Sequence, residues 1–130
     1  MIGGQVDVMF DAVTTMSEQV KAGKVKALAT TGRQRSEVLP DVPTLNEAGV
    51  PGYEATIWLG LMAPRGTPRA VVDQLNGAVS KIVGQPEIRQ LWGKQGAVPM
   101  VMTPEAFDKY ARDDIAKWAG VIKSANIKVD

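Results

Sequence analysis

Hydrophobic residues cluster in two kinds of pattern along the chain, one typical of strands and one of helices. Short apolar runs rich in β-branched and aromatic residues, bounded by turn residues, predict strands over residues 6–10, 25–31, 53–64 and 97–102. The first two runs flank a short helical pattern over residues 15–22. Strand, helix and strand at this spacing predict a parallel crossover, and therefore an α/β fold.

Three further stretches carry apolar residues at helical spacing. The first covers residues 69–83, with Thr67 as the predicted N-cap and Pro68 at the first helical position, and its apolar face is expected to pack on a sheet. Pro86 opens the second. The third begins at Thr103-Pro104 and has one apolar face: Phe107, Tyr110, Ala111, Ile115, Trp118, Val121 and Ile122.

The most structured loop in the sequence is the segment 39–52, here called the strap. Its two leading prolines fix the backbone as extended. Thr44 and Glu47 have the spacing of a capping box, and Gly49 stands where a short helix would end in the left-handed region. The strap is interpreted either as an ordinary linker between two α/β units or as a crossover between two lobes of a binding protein.

The amino-acid composition limits the partners and the kinds of catalytic or metal site that this chain can have. The 130 residues contain 15 basic and 14 acidic side chains without a basic block, which argues against nucleic acid as a partner. Neither cysteine nor histidine occurs, so this chain cannot build a Ser-His-Asp triad, a Cys-His pair or a histidine-ligated zinc site. Pairs of aspartates, Asp7 with Asp11 and Asp113 with Asp114, are poorly placed for acid–base work, and no enzyme activity is predicted.

Polar residues follow the first predicted strand. Ligands of open α/β sheets bind outside the carboxyl ends of the strands, which makes Asp11, Thr14 and Thr15 candidates for ligand contact. Asp11 or Thr15 can equally serve as a helix cap. Similarly, Arg33 and Arg35 either bind an anion or are simply solvated, and Trp58 either stacks on a ligand or fills a junction between lobes.

Seven motifs, with Arg35 between the third and the fourth, resemble in their order the substrate-binding proteins of tripartite tricarboxylate transporters, the Bug or TctC type. They are GGQVD (3–7), FD (10–11), AGKVKALA (22–29), LPDVPT (39–44), EAG (47–49), WLGL (58–61) and AP (63–64). Each is weak alone, but the ordered set is specific. The resemblance implies a partial periplasmic binding protein of type II fold, the C-terminal fragment of a two-lobed protein whose export signal and most of the first lobe are expected to lie outside this chain.

By that resemblance, residues 1–53 are the remainder of the ligand-facing second lobe with the strap, and residues 54–130 are a crossing strand and helices returning to the first lobe. The implied function is periplasmic binding of a small organic carboxylate for membrane permease subunits, without a cofactor or metal and weakened by truncation. The residues implied as ligand-binding are Phe10, Asp11, Ala12, Thr15, Thr30 and Trp58. The alternative is a non-binding structural fragment that self-associates through exposed sheet edges, with a homodimer as the candidate assembly.

Overall fold

Four helices form the regular structure of the chain, for which a computed structural model describes residues 1–128. They are α1 (Val13–Lys21), α2 (Arg69–Val83), α3 (Pro86–Gly93) and α4 (Pro104–Ser124). The chain divides into two compact units. The first unit contains Met1–Met62 and Gln85–Pro99, with α1 and α3, and the second contains Ala63–Gly84 and the described residues from Met100 onward, with α2 and α4.

The four predicted strands are wrong as strands of this structure. Within residues 1–128 the single β-type pairing is an isolated parallel bridge between Thr30 and Thr44, in which the Thr30 N–H donates to the Pro43 carbonyl at 2.8 Å and the Leu45 N–H to the Thr30 carbonyl at 2.8 Å. A strand exists only where a neighbour completes its hydrogen-bond ladder. The apolar runs at 6–10, 53–64 and 97–102 find no such neighbour in the described part of the chain.

The capping box predicted for the strap is present, but the extended approach predicted for its first residues is wrong: the Leu39 N–H donates to the Ser36 carbonyl and the Val42 N–H to the Leu39 carbonyl, each at 3.1 Å, so Pro40 lies in a turn. The Thr44 N–H donates to the Glu47 carboxylate at 2.8 Å, and the Glu47 N–H donates to the Thr44 hydroxyl at 3.1 Å, which is a complete capping box. The turn that follows ends at Gly49, whose φ of 101° lies in the left-handed region. Thr44 itself is only 2% exposed, so the capping box anchors the strap in the interior.

In the first unit, α1 starts two residues earlier than predicted, at Val13, and α3 begins at Pro86 as predicted. The loop after α3 contacts the start of α1 at Gly96. A Cβ atom added to this glycine would lie 2.6 Å from Val13 Cγ1 and 3.0 Å from Val38 Cγ2, and its φ is 79°. Only glycine combines that backbone conformation with such a close approach.

In the second unit, α2 has the bounds predicted from its periodicity, but it packs on α4 and not on a sheet. Asn76 Nδ2 donates to the Met102 carbonyl at 2.9 Å, and Arg69 forms ion pairs with Asp73 at 2.7 Å and with Glu105. The N-cap of α2 is Pro68, because the hydroxyl of the predicted cap Thr67 donates to the Pro64 carbonyl instead. These contacts join the start of α2 to the start of α4.

Helix α4 has a single buried residue, Ala111, among its described positions. Thr103 caps it by accepting a hydrogen bond from the Ala106 N–H at 3.2 Å, and Ala111 is 8% exposed. Further along, Ile115 is 67% exposed and the other apolar positions remain partly open to solvent. The predicted apolar face therefore exists, but its C-terminal half stays partly exposed to solvent.

Candidate ligand-binding site

The predicted site residues Asp11, Ala12 and Thr15 meet at the start of α1. Asp11 Oδ1 accepts hydrogen bonds from the Ala12 N–H at 2.7 Å and from the Thr15 hydroxyl at 3.0 Å. The Thr15 hydroxyl also lies 2.8 Å from the Ala12 carbonyl. Asp11 lies just before the helix and is hydrogen-bonded to Thr15 in its first turn. The helix-capping and the ligand-binding interpretations of these residues are therefore compatible, because Asp11 and Thr15 order the turn that a ligand would meet.

Helix α1 leaves backbone donors free at this end. Its N-cap residue is Ala12, which has no side chain to accept a hydrogen bond, and no acidic residue stands in the first turn. Within residues 1–128, the N–H groups of Val13 and Thr14 donate to no acceptor. Such orphan donors lie at the positive end of the helix dipole and favour an anionic group.

Phe10 precedes this cluster and is 75% exposed, so its ring is available to a ligand but packs on little of the described chain. Thr30 is not hydrogen-bonded to this cluster. It is buried, and its N–H and carbonyl are hydrogen-bonded to Pro43 and Leu45 of the strap. Trp58 is half-buried in an otherwise exposed extended segment. The structure thus brings Asp11, Ala12 and Thr15 together by hydrogen bonds, and the ligand roles of all six residues stay predictions.

The two loop arginines are committed to ion pairs. Arg33 Nε lies 2.8 Å from Glu54 Oε2, and Arg35 Nε lies 2.9 Å from Glu47 Oε2. Arg35 also donates to the Pro40 carbonyl at 3.2 Å. The Thr44 N–H and then the Arg35 guanidinium hold the pKa of the Glu47 carboxyl below its usual range. Arg35 therefore stabilises the strap by contacting both Glu47 and Pro40, a role that its position in a polar turn did not indicate.

The structure also contains an open groove of about 250 Å³ that sequence reasoning missed. It lies in the first unit and is lined by Glu37, Arg89, Gly93, Ala97, Val98 and Pro99. Glu37 and Arg89 make no ion pair with any residue in the described range. They are far apart in the sequence and lie in segments without a motif, so no sequence signal pointed to them.

Two further properties concern the described residues only. No group of three or more acidic side chains is arranged to hold a metal ion anywhere in residues 1–128. None of the four helices is both long and apolar enough to cross a bilayer.

The chain is similar to solved structures over nearly all of its length. It superposes with a TM-score of 0.88 on R. palustris Rpa4515 with adipate, at 34% identity, covering 97% of this chain and 42% of that one. The periplasmic binding protein BugD gives a TM-score of 0.87 at 36% identity over 98% of this chain and 43% of BugD. MatC from Rhodopseudomonas palustris with bound malate gives 0.79 at 38% identity over 93% of this chain and 42% of MatC.

Sequence comparison agrees. A UPF0065 protein from Pseudomonas sp. (strain P51) is 35% identical over 94% of this chain, and this chain spans 37% of its length. The chain therefore covers less than half of these longer relatives, which confirms the partial two-lobed α/β fold expected from the motifs. The profile of the tripartite tricarboxylate transporter family receptor, TctC, matches residues 1–127, and the chain belongs to that family.

Proposed function

We propose that this chain is part of the solute-binding component of a periplasmic uptake system and binds a small organic dicarboxylate at the start of α1. The observation that carries the proposal is the pair of free N–H groups at Val13 and Thr14, beside the turn held by Asp11. Two relatives that superpose on the chain hold adipate and malate, which are dicarboxylates. A carboxylate is the group that two backbone donors at a helix N-terminus favour.

Asp11 adds selectivity to this site. Its Oδ1 is engaged by Ala12 and Thr15, whereas its Oδ2 accepts no hydrogen bond from the described residues. A free carboxylate oxygen repels a second anion but accepts a bond from a hydroxyl group. We therefore infer that malate, which carries a hydroxyl, is preferred over adipate by the isolated chain, and that Asp11→Asn reduces this preference.

The affinity of this chain is expected to be lower than that of a full-length relative. The chain spans 42% of the adipate-bound relative, and a site shared by two lobes closes only when both are present. We extend the proposal to the family's other partners: the complete protein would deliver its ligand in the periplasm to the membrane subunits of the transporter.

Calorimetric titration with malate and adipate tests the ligand proposal, using this chain beside a full-length relative such as BugD. The informative variant is Val13→Pro, because proline suits the first helical position but lacks the N–H. Val13→Thr, which keeps both the N–H and the side-chain shape, is the matched control. A hydrogen bond to a charged group contributes roughly 1.5–3 kcal/mol, so Val13→Pro should weaken binding about tenfold or more. Equal affinities for Val13→Pro and Val13→Thr would contradict the assignment of this donor.

A second candidate function, self-association, is supported by a separate observation. Apolar side chains stand exposed at every second position of two runs without regular structure: Val6, Val8 and Phe10 at 48, 66 and 75%, and Ile57, Leu59 and Leu61 at 80, 97 and 77%. Monomeric proteins seldom expose contiguous apolar patches above a few hundred Å². We propose that the isolated chain covers such a run by pairing with a second copy.

A further inference from the structure

Helix α2 contains the dipeptide Asn76-Gly77 near its middle. Asparagine is a thermolabile residue, and a following glycine has no side chain to keep its backbone nitrogen away from the asparagine amide. Nothing around Gly77 requires glycine there: its φ is not in the left-handed region, and an added Cβ would meet nothing within 4 Å beyond the backbone of its own helix. Because glycine is also a poor helix former, helix geometry does not account for it.

The Asn76 side chain joins α2 to the start of α4. Its Nδ2 donates to the Met102 carbonyl at 2.9 Å in a part-buried hydrogen bond, and Met102 immediately precedes Thr103, the N-cap of α4. An amide can make this contact because it carries N–H donors. A carboxylate at the same position would have none, and its negative charge would face the carbonyl oxygen. The chemical state of residue 76 therefore decides whether this contact forms.

We propose that Asn76-Gly77 is a site of spontaneous deamidation that the folded helix protects, and that the reaction breaks the contact between α2 and Met102. In the first step the Gly77 backbone nitrogen attacks Asn76 Cγ and closes a succinimide ring. Nδ2 leaves as ammonia, which carries away the proton that the Gly77 nitrogen gave up. In the second step water opens the ring. Cleavage at the side-chain carbonyl leaves aspartate, and cleavage at the main-chain carbonyl leaves isoaspartate.

The folded helix opposes this reaction in two ways. In an α-helix each N–H donates to the carbonyl four residues earlier, so the Gly77 nitrogen must leave that hydrogen bond before it can attack. The hydrogen bond to Met102 also holds the Asn76 amide away from the geometry of ring closure. Deamidation therefore requires a local opening of α2, and its rate follows the population of the open form.

The two other asparagines of the chain are internal controls for this chemistry. Asn46 precedes Glu47 and Asn126 precedes Ile127. Both of these following residues carry a side chain that crowds the attacking nitrogen, whereas glycine does not. In an unfolded chain we therefore expect residue 76 to react faster than residues 46 and 126.

Peptide mapping by mass spectrometry, after incubation at neutral pH with and without guanidinium chloride, measures the rate at each asparagine. In denaturant Asn76 should react fastest. Without denaturant it should react at least about tenfold more slowly, the ratio that an opening free energy of roughly 1.4 kcal/mol gives. Thr103→Ala, which removes the cap of α4 beside Met102, should raise this native rate.

Three results would overturn the proposal. In the first, Asn76 reacts no faster than the other two asparagines in denaturant, which removes the labile site. In the second, its rate is the same with and without denaturant, which removes the protection by the fold. In the third, Thr103→Ala leaves the native rate unchanged, which removes the contribution of the contact between α2 and α4.

Two further variants separate the reaction from its consequence. Gly77→Ala keeps the Asn76 amide but crowds the nitrogen, so it should suppress deamidation without lowering the denaturant midpoint, because alanine favours a helix. Asn76→Asp has the aspartate product from the start and should unfold at a lower denaturant concentration than wild type. A midpoint of Asn76→Asp equal to or above that of wild type would overturn the stated consequence. None of these measurements involves a ligand or a second copy, so their outcome is independent of both proposed functions.

Discussion

Replacing Gly96 by alanine probes how the loop after α3 positions the start of α1. Two costs add. Alanine at a φ of 79° costs about 1–2 kcal/mol, because its Cβ crowds the following carbonyl in the left-handed region. The same Cβ would lie 2.6 Å from Val13 Cγ1, and such overpacking costs roughly 1–3 kcal/mol. We expect Gly96→Ala to lower the free energy of unfolding by about 2–5 kcal/mol, the sum of these two costs.

Denaturant unfolding at 25 °C measures this loss, and Gly52→Ala supplies the matched control. Gly52 has nearly the same φ, 75°, but a Cβ there would meet nothing within 4 Å. It therefore isolates the backbone cost of about 1–2 kcal/mol. The double variant Val13→Ala with Gly96→Ala should recover part of the contact cost. Equal losses in Gly96→Ala and Gly52→Ala, or no recovery in the double variant, would refute the close-contact argument.

Three further variants test the caps and braces. Glu47→Gln removes a carboxylate whose pKa is lowered by the Thr44 N–H and by Arg35. Wild type should therefore be more stable than the variant at neutral pH. In thermal unfolding at decreasing pH, this difference should vanish as the pH falls through the lowered pKa of Glu47. Thr103→Ala deletes the cap of α4 and should cost about 1 kcal/mol in denaturant unfolding. Asn76→Ala leaves the Met102 carbonyl without its donor and should cost roughly 1–3 kcal/mol by the same measurement.

Each of these three variants has a control variant, either a conservative substitution at the same position or the same kind of substitution at another position. Glu37→Gln removes a carboxylate that has no ion pair in the described region. The stability difference between wild type and Glu37→Gln should therefore not show the pH dependence expected for Glu47→Gln. Thr103→Ser keeps the capping oxygen and should be close to wild type. For the amide, Asn46→Ala removes a more exposed hydrogen bond, to the Gly52 N–H at 2.9 Å, and should cost less. If a control variant lost more stability than the variant it is paired with, the proposed role of that hydrogen bond or ion pair would be wrong.

Elements held by neighbours in the sequence were predictable from the residues alone. The capping box of Thr44 and Glu47 needs only a three-residue spacing, and the bounds of α2 follow from apolar periodicity. The motifs that identify the family are also local. For the site, the same logic reached the cluster of Asp11 and Thr15, because both lie within one helical turn.

Pairing and burial were decided only by the tertiary structure. Residues 6–10 and 56–62 have the composition of strands, but a ladder requires a second segment that no local pattern guarantees. Likewise the close approach of Gly96 to Val13 joins segments far apart in the sequence, and nothing near either residue announces it. Local patterns were therefore enough to predict the helices, the capping box of the strap and the family. Which apolar faces are covered was not predictable, because coverage depends on what lies opposite a residue in space and not on what lies beside it in the chain.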